Sequence, residues 1–109
     1  MIEFVQIVTT TATEEEARKI AEALVEERLA ACVQVSGPIR SVYRWQGKTE
    51  KADEWQCVAK TTSVLIATVE AAIKRLHSYE CPETVVIPIV GGSASYLRWL
   101  AEQLADLEN

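Results

Sequence analysis

The chain has one histidine, His77, and three cysteines, Cys32, Cys57 and Cys81, none of them in a CxxC pair. Structural zinc sites take four Cys or His ligands at short paired spacings, so this supply excludes one. An odd number of thiols without framework spacing suits free cysteines in a reducing compartment. No nucleophile-elbow motif accompanies the serines, and no GxGxxG or Walker sequence is present. The motif signatures of α/β-hydrolases, dinucleotide-binding folds and P-loop NTPases are therefore missing. Positive charge is also scarce: 11 Lys and Arg stand against 16 Asp and Glu, a net charge of −5. Neutralising phosphates needs a basic face, so a general nucleic-acid partner is not expected. No apolar run approaches the roughly 20 residues of a membrane span. The start, Met1-Ile2-Glu3-Phe4-Val5, has neither the basic segment nor the cleavage site of a secretory signal. The expectation is a cytoplasmic protein with no membrane partner.

What is there is the balance of a folded chain: 49% hydrophobic and 25% charged residues. No linker or repeat divides it, so residues 1–109 read as one domain. Ile2 to Thr9 is apolar at positions of both parities, as in a strand covered on both faces. Thr13 and Glu16 have capping-box spacing, and Glu14 to Glu16 suit the positive end of a helix. Ala17, Ile20, Ala21 and Leu24 continue the stripe, which predicts a helix from Thr13 to about Leu29. Ala31 to Gln46 reads as a strand with a bulge or bend at Gly37-Pro38. Gln46-Gly47-Lys48 is a turn, and Thr49 to Thr61 is the returning strand. Thr62 or Ser63 opens a second helix to about His77, with Ile66, Val69, Ile73 and Leu76 inward. Ser78 to Glu83 is a loop. Thr84 to Val90 is a last strand, placed near an edge by Pro88. Ser93 caps a third helix marked by Tyr96, Leu97, Leu100 and Leu104.

The order β-α-β-β-α-β-α predicts an α+β fold: a ferredoxin-like βαββαβ unit with an antiparallel sheet and an additional C-terminal helix. Two features exceed a lone subunit. At about 3.3 Å per residue, Ala31 to Gln46 would reach roughly 50 Å, against a radius of gyration near 13 Å for a chain of about 100 residues. The hairpin must protrude. The outer strands are also apolar on both sides, while two helices cover only one face. Both features point to an oligomer.

Five segments resemble successive motifs of the CutA divalent-cation tolerance proteins: Glu27-Arg28-Leu29-Ala30-Ala31-Cys32-Val33, Ser41-Val42-Tyr43-Arg44-Trp45-Gln46-Gly47, Lys60-Thr61-Thr62, Leu76-His77-Ser78-Tyr79-Glu80-Cys81-Pro82-Glu83 and Tyr96-Leu97-Arg98-Trp99-Leu100. The likeness runs from about Ile2 to Leu104. It implies a homotrimer of ferredoxin-like subunits, architecturally akin to the PII signalling proteins. It also implies a link to tolerance of copper and other divalent metals, without a settled catalytic activity. The family's copper site, a cysteine and two adjacent histidines, falls here on Thr9, Leu76 and His77.

The remaining metal candidates are His77, Cys81 and Glu83, since copper and zinc favour imidazole and thiolate donors and a carboxylate can add oxygens. The expected binding is weak, with no cofactor required. The competing reading makes His77 a cap on the second helix, where positive charge is favourable. Cys32 and Cys57 read as packing residues. Tyr43, Trp45, Lys60, Tyr79, Glu83 and Trp99 combine aromatic walls with one cation and one carboxylate, which suits an intersubunit cleft for a small anion or metabolite. In the competing reading Trp45 and Trp99 are interface anchors.

On the second helix, Val64, Leu65, Thr68, Ala71 and Ala72 lie off the inward stripe and share a face. That face is expected either to be covered by the third helix or to bind a second protein. The leading functional reading is a non-enzymatic trimeric divalent-cation tolerance or response protein, with PII-like signalling as one form of it. The alternatives are a small-ligand-binding or metal-activated enzyme at the intersubunit cleft, and a scaffold subunit that uses the second helix. An acylphosphatase is excluded because Val8-Thr9-Thr10-Thr11-Ala12 has neither the Arg nor the Gly of a phosphate-cradling loop.

Overall fold

The computed structural model describes residues 3–106. Its elements are β1 (Phe4–Thr11), α1 (Glu14–Glu26), β2 (Cys32–Trp45), β3 (Lys48–Thr62), α2 (Ile66–Leu76), β4 (Val85–Ile89) and α3 (Ala94–Glu102), with a 3₁₀ turn at Ser63–Leu65 leading into α2. The four strands form one antiparallel sheet in the order β2-β3-β1-β4. This is the expected ferredoxin-like arrangement with an added C-terminal helix. The expected strand start at Ile2 lies outside the described residues.

Thr13 caps α1 as its spacing predicts: its Oγ1 accepts the Glu16 N–H at 3.1 Å. The reciprocal half of the capping box is not made. The Glu16 carboxylate instead accepts the Ser78 N–H at 2.8 Å and the Ser78 hydroxyl at 2.9 Å, tying α1 to the loop after α2. The helix stops at Glu26, earlier than Leu29. Arg28 takes a left-handed φ of 60°, while Arg28 N–H donates to Val25 O and Leu29 N–H to Leu24 O. That is a Schellman closure, with Arg where glycine is usual. Arg28 also reaches the far end of the chain. Its guanidinium donates to Gln103 O (2.9 Å) and Glu102 O (3.2 Å), occupying carbonyls at the C-terminus of α3.

The core lies between the sheet and α1 and α2. Val5, Ile7 and Ala59 from the strands meet Ile20, Leu24, Leu65, Val69, Ala72 and Ile73. This corrects the expectation for the second helix. Leu65 and Ala72 are 1% and 2% exposed and belong to the core, whereas Val64 is 59% exposed. Ala71 is exposed and Thr68 half-buried. Leu65, Val69, Ala72 and Leu76 stand at i, i+4, i+7 and i+11, so one stripe of ordinary width takes in Leu65 and Ala72. The set Val64, Leu65, Thr68, Ala71 and Ala72 is therefore split between core and surface and forms no continuous apolar patch.

The long hairpin carries the arm. Trp45 and Lys48 pair across a two-residue turn in which Gln46 and Gly47 both have positive φ, the geometry that matches strand twist. The subunit is drawn out to 44 × 26 × 23 Å. The predicted irregularity at Gly37-Pro38 is a bulge: Ser36 pairs with Gln56 and Ile39 with Glu54, so Gly37 and Pro38 together oppose Trp55. Gly37 is required there. A Cβ on it would lie 2.6 Å from Trp55 Cδ1. The extra residue reverses the alternation of β2. Beyond the bulge the odd-numbered residues Ser41, Tyr43 and Trp45 share a face with Glu54, and through β3 with Thr10 of β1.

Candidate ligand-binding site

The reversed alternation builds a cavity at the base of the arm. Its volume is about 470 Å³, and its walls are Ser41, Val42, Tyr43 and Trp45 from β2, Glu54 from β3, Thr10 from β1, and Tyr79, Cys81 and Glu83 from the α2–β4 loop. The loop is pinned by His77, whose side chain is fully buried. His77 Nε2 lies 2.7 Å from Thr10 O, and a carbonyl can only accept, so the proton is assigned to Nε2. Nδ1 then accepts the Tyr79 N–H at 3.0 Å. The Tyr79 ring packs on His77 with centroids 4.7 Å apart. Its hydroxyl donates to Glu54 Oε2 at 2.8 Å. Burial first, then the hydrogen bond to Glu54 and that group's charge, push the Tyr79 phenol well above its ordinary value. It therefore remains a donor, fixing the carboxylate at the back of the cavity.

Of the six residues expected to line a ligand cleft, Tyr43, Trp45, Tyr79 and Glu83 meet here. Lys60 and Trp99 do not. Lys60 shares the sheet face of Glu54, opposite the α1–α2 core, but lies about 20 Å further along β3. There its ammonium lies 5.7 Å from the Tyr96 ring centroid, and Tyr96 packs against Trp99 at 5.6 Å. Within a single chain the six residues thus fall into two groups, four at the cavity and two at the Tyr96 cluster, whereas the expectation was for a cleft between subunits. Glu54 carries no signal in the sequence. It is 7% exposed and lies in a strand segment with nothing unusual in its sequence. Its placement follows from register with the bulged strand, a tertiary fact.

The expected metal set is not assembled either. Cys81 and Glu83 line the cavity, but both His77 ring nitrogens are committed within the chain. Among the described residues no group of three His, Cys, Asp or Glu side chains could hold a metal ion. The family-implied trio fits no better. Thr9 offers a buried hydroxyl without a partner, Leu76 has no donor atom, and His77 has no free lone pair. His77 lies at the C-cap of α2 as expected, though it acts through its ring bonds to β1 and the following loop. Cys57 is buried, and its thiol donates to Ala17 O at 3.4 Å. Burial and then the charge of Glu16 push that thiol up to about 11. Cys32 is half-buried.

The sequence model of the CutA1 divalent ion tolerance protein family matches residues 5–103. The divalent-cation tolerance protein CutA of Thermus thermophilus is 45% identical over 96 residues, 88% of this chain and 93% of that protein. The chloroplastic CutA of Arabidopsis thaliana is 37% identical over 94 residues, 86% of this chain; the match spans about half (52%) of the plant protein. The crystal structure of CutA1 from Oryza sativa superposes with a TM-score of 0.93 at 32% identity, covering 95% of each chain.

Proposed function

The chain belongs to the CutA1 divalent ion tolerance protein family, and from that premise we propose that it supports tolerance of copper and other divalent cations as a non-enzymatic homotrimer. The observation that carries this reading is the apolar surface left on one subunit. Val85, Val86 and Ile87 of β4 are 47%, 38% and 44% exposed, and Val42 on the arm is 61% exposed. Exposed apolar side chains on strands of this kind suit an interaction site, and an uncovered edge strand invites pairing with another chain. A protruding arm that packs on the β4 side of the next copy makes a head-to-tail contact, which closes into a ring when the rotation is right.

The reactive groups favour binding over catalysis. Nucleophilic thiols have depressed pKa values, and Cys57 is shifted the other way, to about 11. Burial, and then the hydrogen bond to Glu54, hold Tyr79 protonated. His77 has no ring nitrogen left to exchange a proton with a substrate. In this reading no cofactor is required, direct metal affinity is weak, and a ligand cavity repeated in a symmetric trimer suits a PII-like response role. The test is growth of a bacterial host in toxic copper. Expression of the chain raises the copper concentration that halts growth, and the Ile87→Lys variant, folded but unable to assemble, does not. Equal protection by a monomeric variant would refute the link between assembly and tolerance.

A further inference from the structure

Glu54, in the wall of the cavity, is a buried carboxylate without a countercharge in its own chain. It is 7% exposed. Its hydrogen bond comes from the neutral Tyr79 hydroxyl, and among the described residues no Lys, Arg or His forms an ion pair with it. A carboxylate held out of water in this way is short of positive charge. Its neighbours on the arm do not supply it. Arg40 and Arg44 alternate onto the other face of β2, where they bond Asp53 and Gly47 O. On the face of Glu54, the cations of the sheet are Lys48 and Lys60, each about 20 Å along β3. Lys60 is the converse of Glu54. It is half-buried and forms no ion pair among the described residues; its ammonium has the Tyr96 ring 5.7 Å away.

The head-to-tail assembly decides between the two lysines. In it the arm of one copy covers the β4 side of the next. β4 pairs with Phe4–Val8 of β1, the stretch that pairs on its other side with Val58–Thr62 of β3. Lys60, Gln6 and Ile87 stand in one row, so Lys60 is two strand spacings, about 10 Å, from Ile87. An arm seated on β4 therefore brings its own cavity to the side of the neighbour that carries Lys60. Lys48 sits at the turn of the arm and travels with it, away from the cavity of its own chain.

We infer that Glu54 of each copy pairs with Lys60 of the next, so that the cavity at the base of the arm is complete only at the junction of two chains. This pairing rests on the homotrimer reading and adds to it the charges that fix how the surfaces meet. Apolar contact alone tolerates many registers, whereas one buried glutamate and one lysine favour a single register and penalise the others. In a closed ring the same pair recurs at every junction.

The test follows subunit exchange between unlabelled and isotope-labelled protein by native mass spectrometry. It compares the wild type, Glu54→Gln, Lys60→Met and the double variant, each in its native assembly. Glu54→Gln keeps an oxygen for the Tyr79 hydroxyl. Each single change should speed exchange about tenfold or more, because it leaves the other charge buried alone. The double variant should exchange no faster than the faster single variant. Within one chain the two sites are too far apart to couple, so a shortfall from the product of the single effects reports contact between copies. Lys48→Met and Glu54→Gln should multiply independently. Independent multiplication for Glu54 and Lys60, or coupling of Glu54 with Lys48 instead, would overturn the inference. If Glu54→Gln does not fold, Lys60→Arg decides: it keeps the charge and should stay within about threefold of the wild-type rate, and acceleration equal to that of Lys60→Met would overturn the pairing. A wild-type protein with the mass of one chain would sink the assembly itself, whereas a wild-type trimer with uncoupled effects sinks the pairing alone.

Discussion

Gly37→Ala is the most informative single substitution, because the bulge it perturbs sets which arm residues face the cavity. The new Cβ would lie 2.6, 2.8 and 3.0 Å from Trp55 Cδ1, Cγ and Nε1. Ordinary carbon contacts begin near 3.5 Å, so the indole must move by roughly 1 Å. Trp55 is half-buried and sits opposite the bulge between Gln56 and Glu54, so its displacement disturbs the β2–β3 pairing. Overpacking of this kind costs about 1–3 kcal/mol. For a domain of this size each 1 kcal/mol lowers the melting temperature by about 4–8 °C. The expected fall is therefore roughly 5–20 °C, measured by circular dichroism at one fixed protein concentration because assembly stabilises by mass action. The decisive arm is the double-mutant cycle with Trp55→Ala. If the collision is the cause, the cost of Gly37→Ala shrinks by more than about 0.5 kcal/mol once the indole is gone. The same cost in both backgrounds would show that Trp55 is not what demands glycine.

Leu65→Ala should cost about 2–5 kcal/mol in chemical denaturation, because Leu65 is a core residue; Val64→Lys, one residue earlier and exposed, should change stability by less than about 0.5 kcal/mol. Cys57 is held neutral in the folded chain, its thiol raised from 9.0 to about 11. The unfolded chain loses that proton first, so stability should fall as pH rises from about 9 to 11, and Cys57→Ala should flatten that part of the stability–pH curve. In thiol titration of the native protein at pH 8, the exposed Cys81 should react fast and Cys57 only after unfolding. Arg28→Ala removes the guanidinium from the Glu102 and Gln103 carbonyls, and should speed amide hydrogen exchange in the last turn of α3 while leaving the β1–β3 amides unchanged.

The local signals in the sequence were those with local causes. Thr13 and Glu16 mark the start of α1 because a cap needs only a side chain and the next turn. Gly37-Pro38 marks the bulge because proline cannot serve a regular ladder. Pro88 sits on edge strand β4, where a missing N–H is tolerated. The site was harder to read because it depends on register. Lys60 and Trp99 belong to motifs like those of Tyr43 and Tyr79, but Lys60 lies about 20 Å along β3 from Glu54 on the same sheet face, beside the Tyr96–Trp99 cluster. Glu54 reaches the cavity only because β2 gains one residue against β3. The second-helix face escapes a helical projection because the segment enters through a 3₁₀ turn at Ser63–Leu65. That turn advances about 120° per residue against 100° in an α-helix, so positions projected back from α2 do not keep their phase.

In the proposed assembly the apolar arm and β4 surfaces are covered by copies of the same chain. Sedimentation velocity at micromolar concentration tests it most directly, with the wild-type protein and Ile87→Lys run side by side. The expected result is one wild-type species at three times the 12.1 kDa mass of the chain and a folded variant shifted to the single-chain mass. A wild-type protein that sediments at the mass of one chain would contradict it.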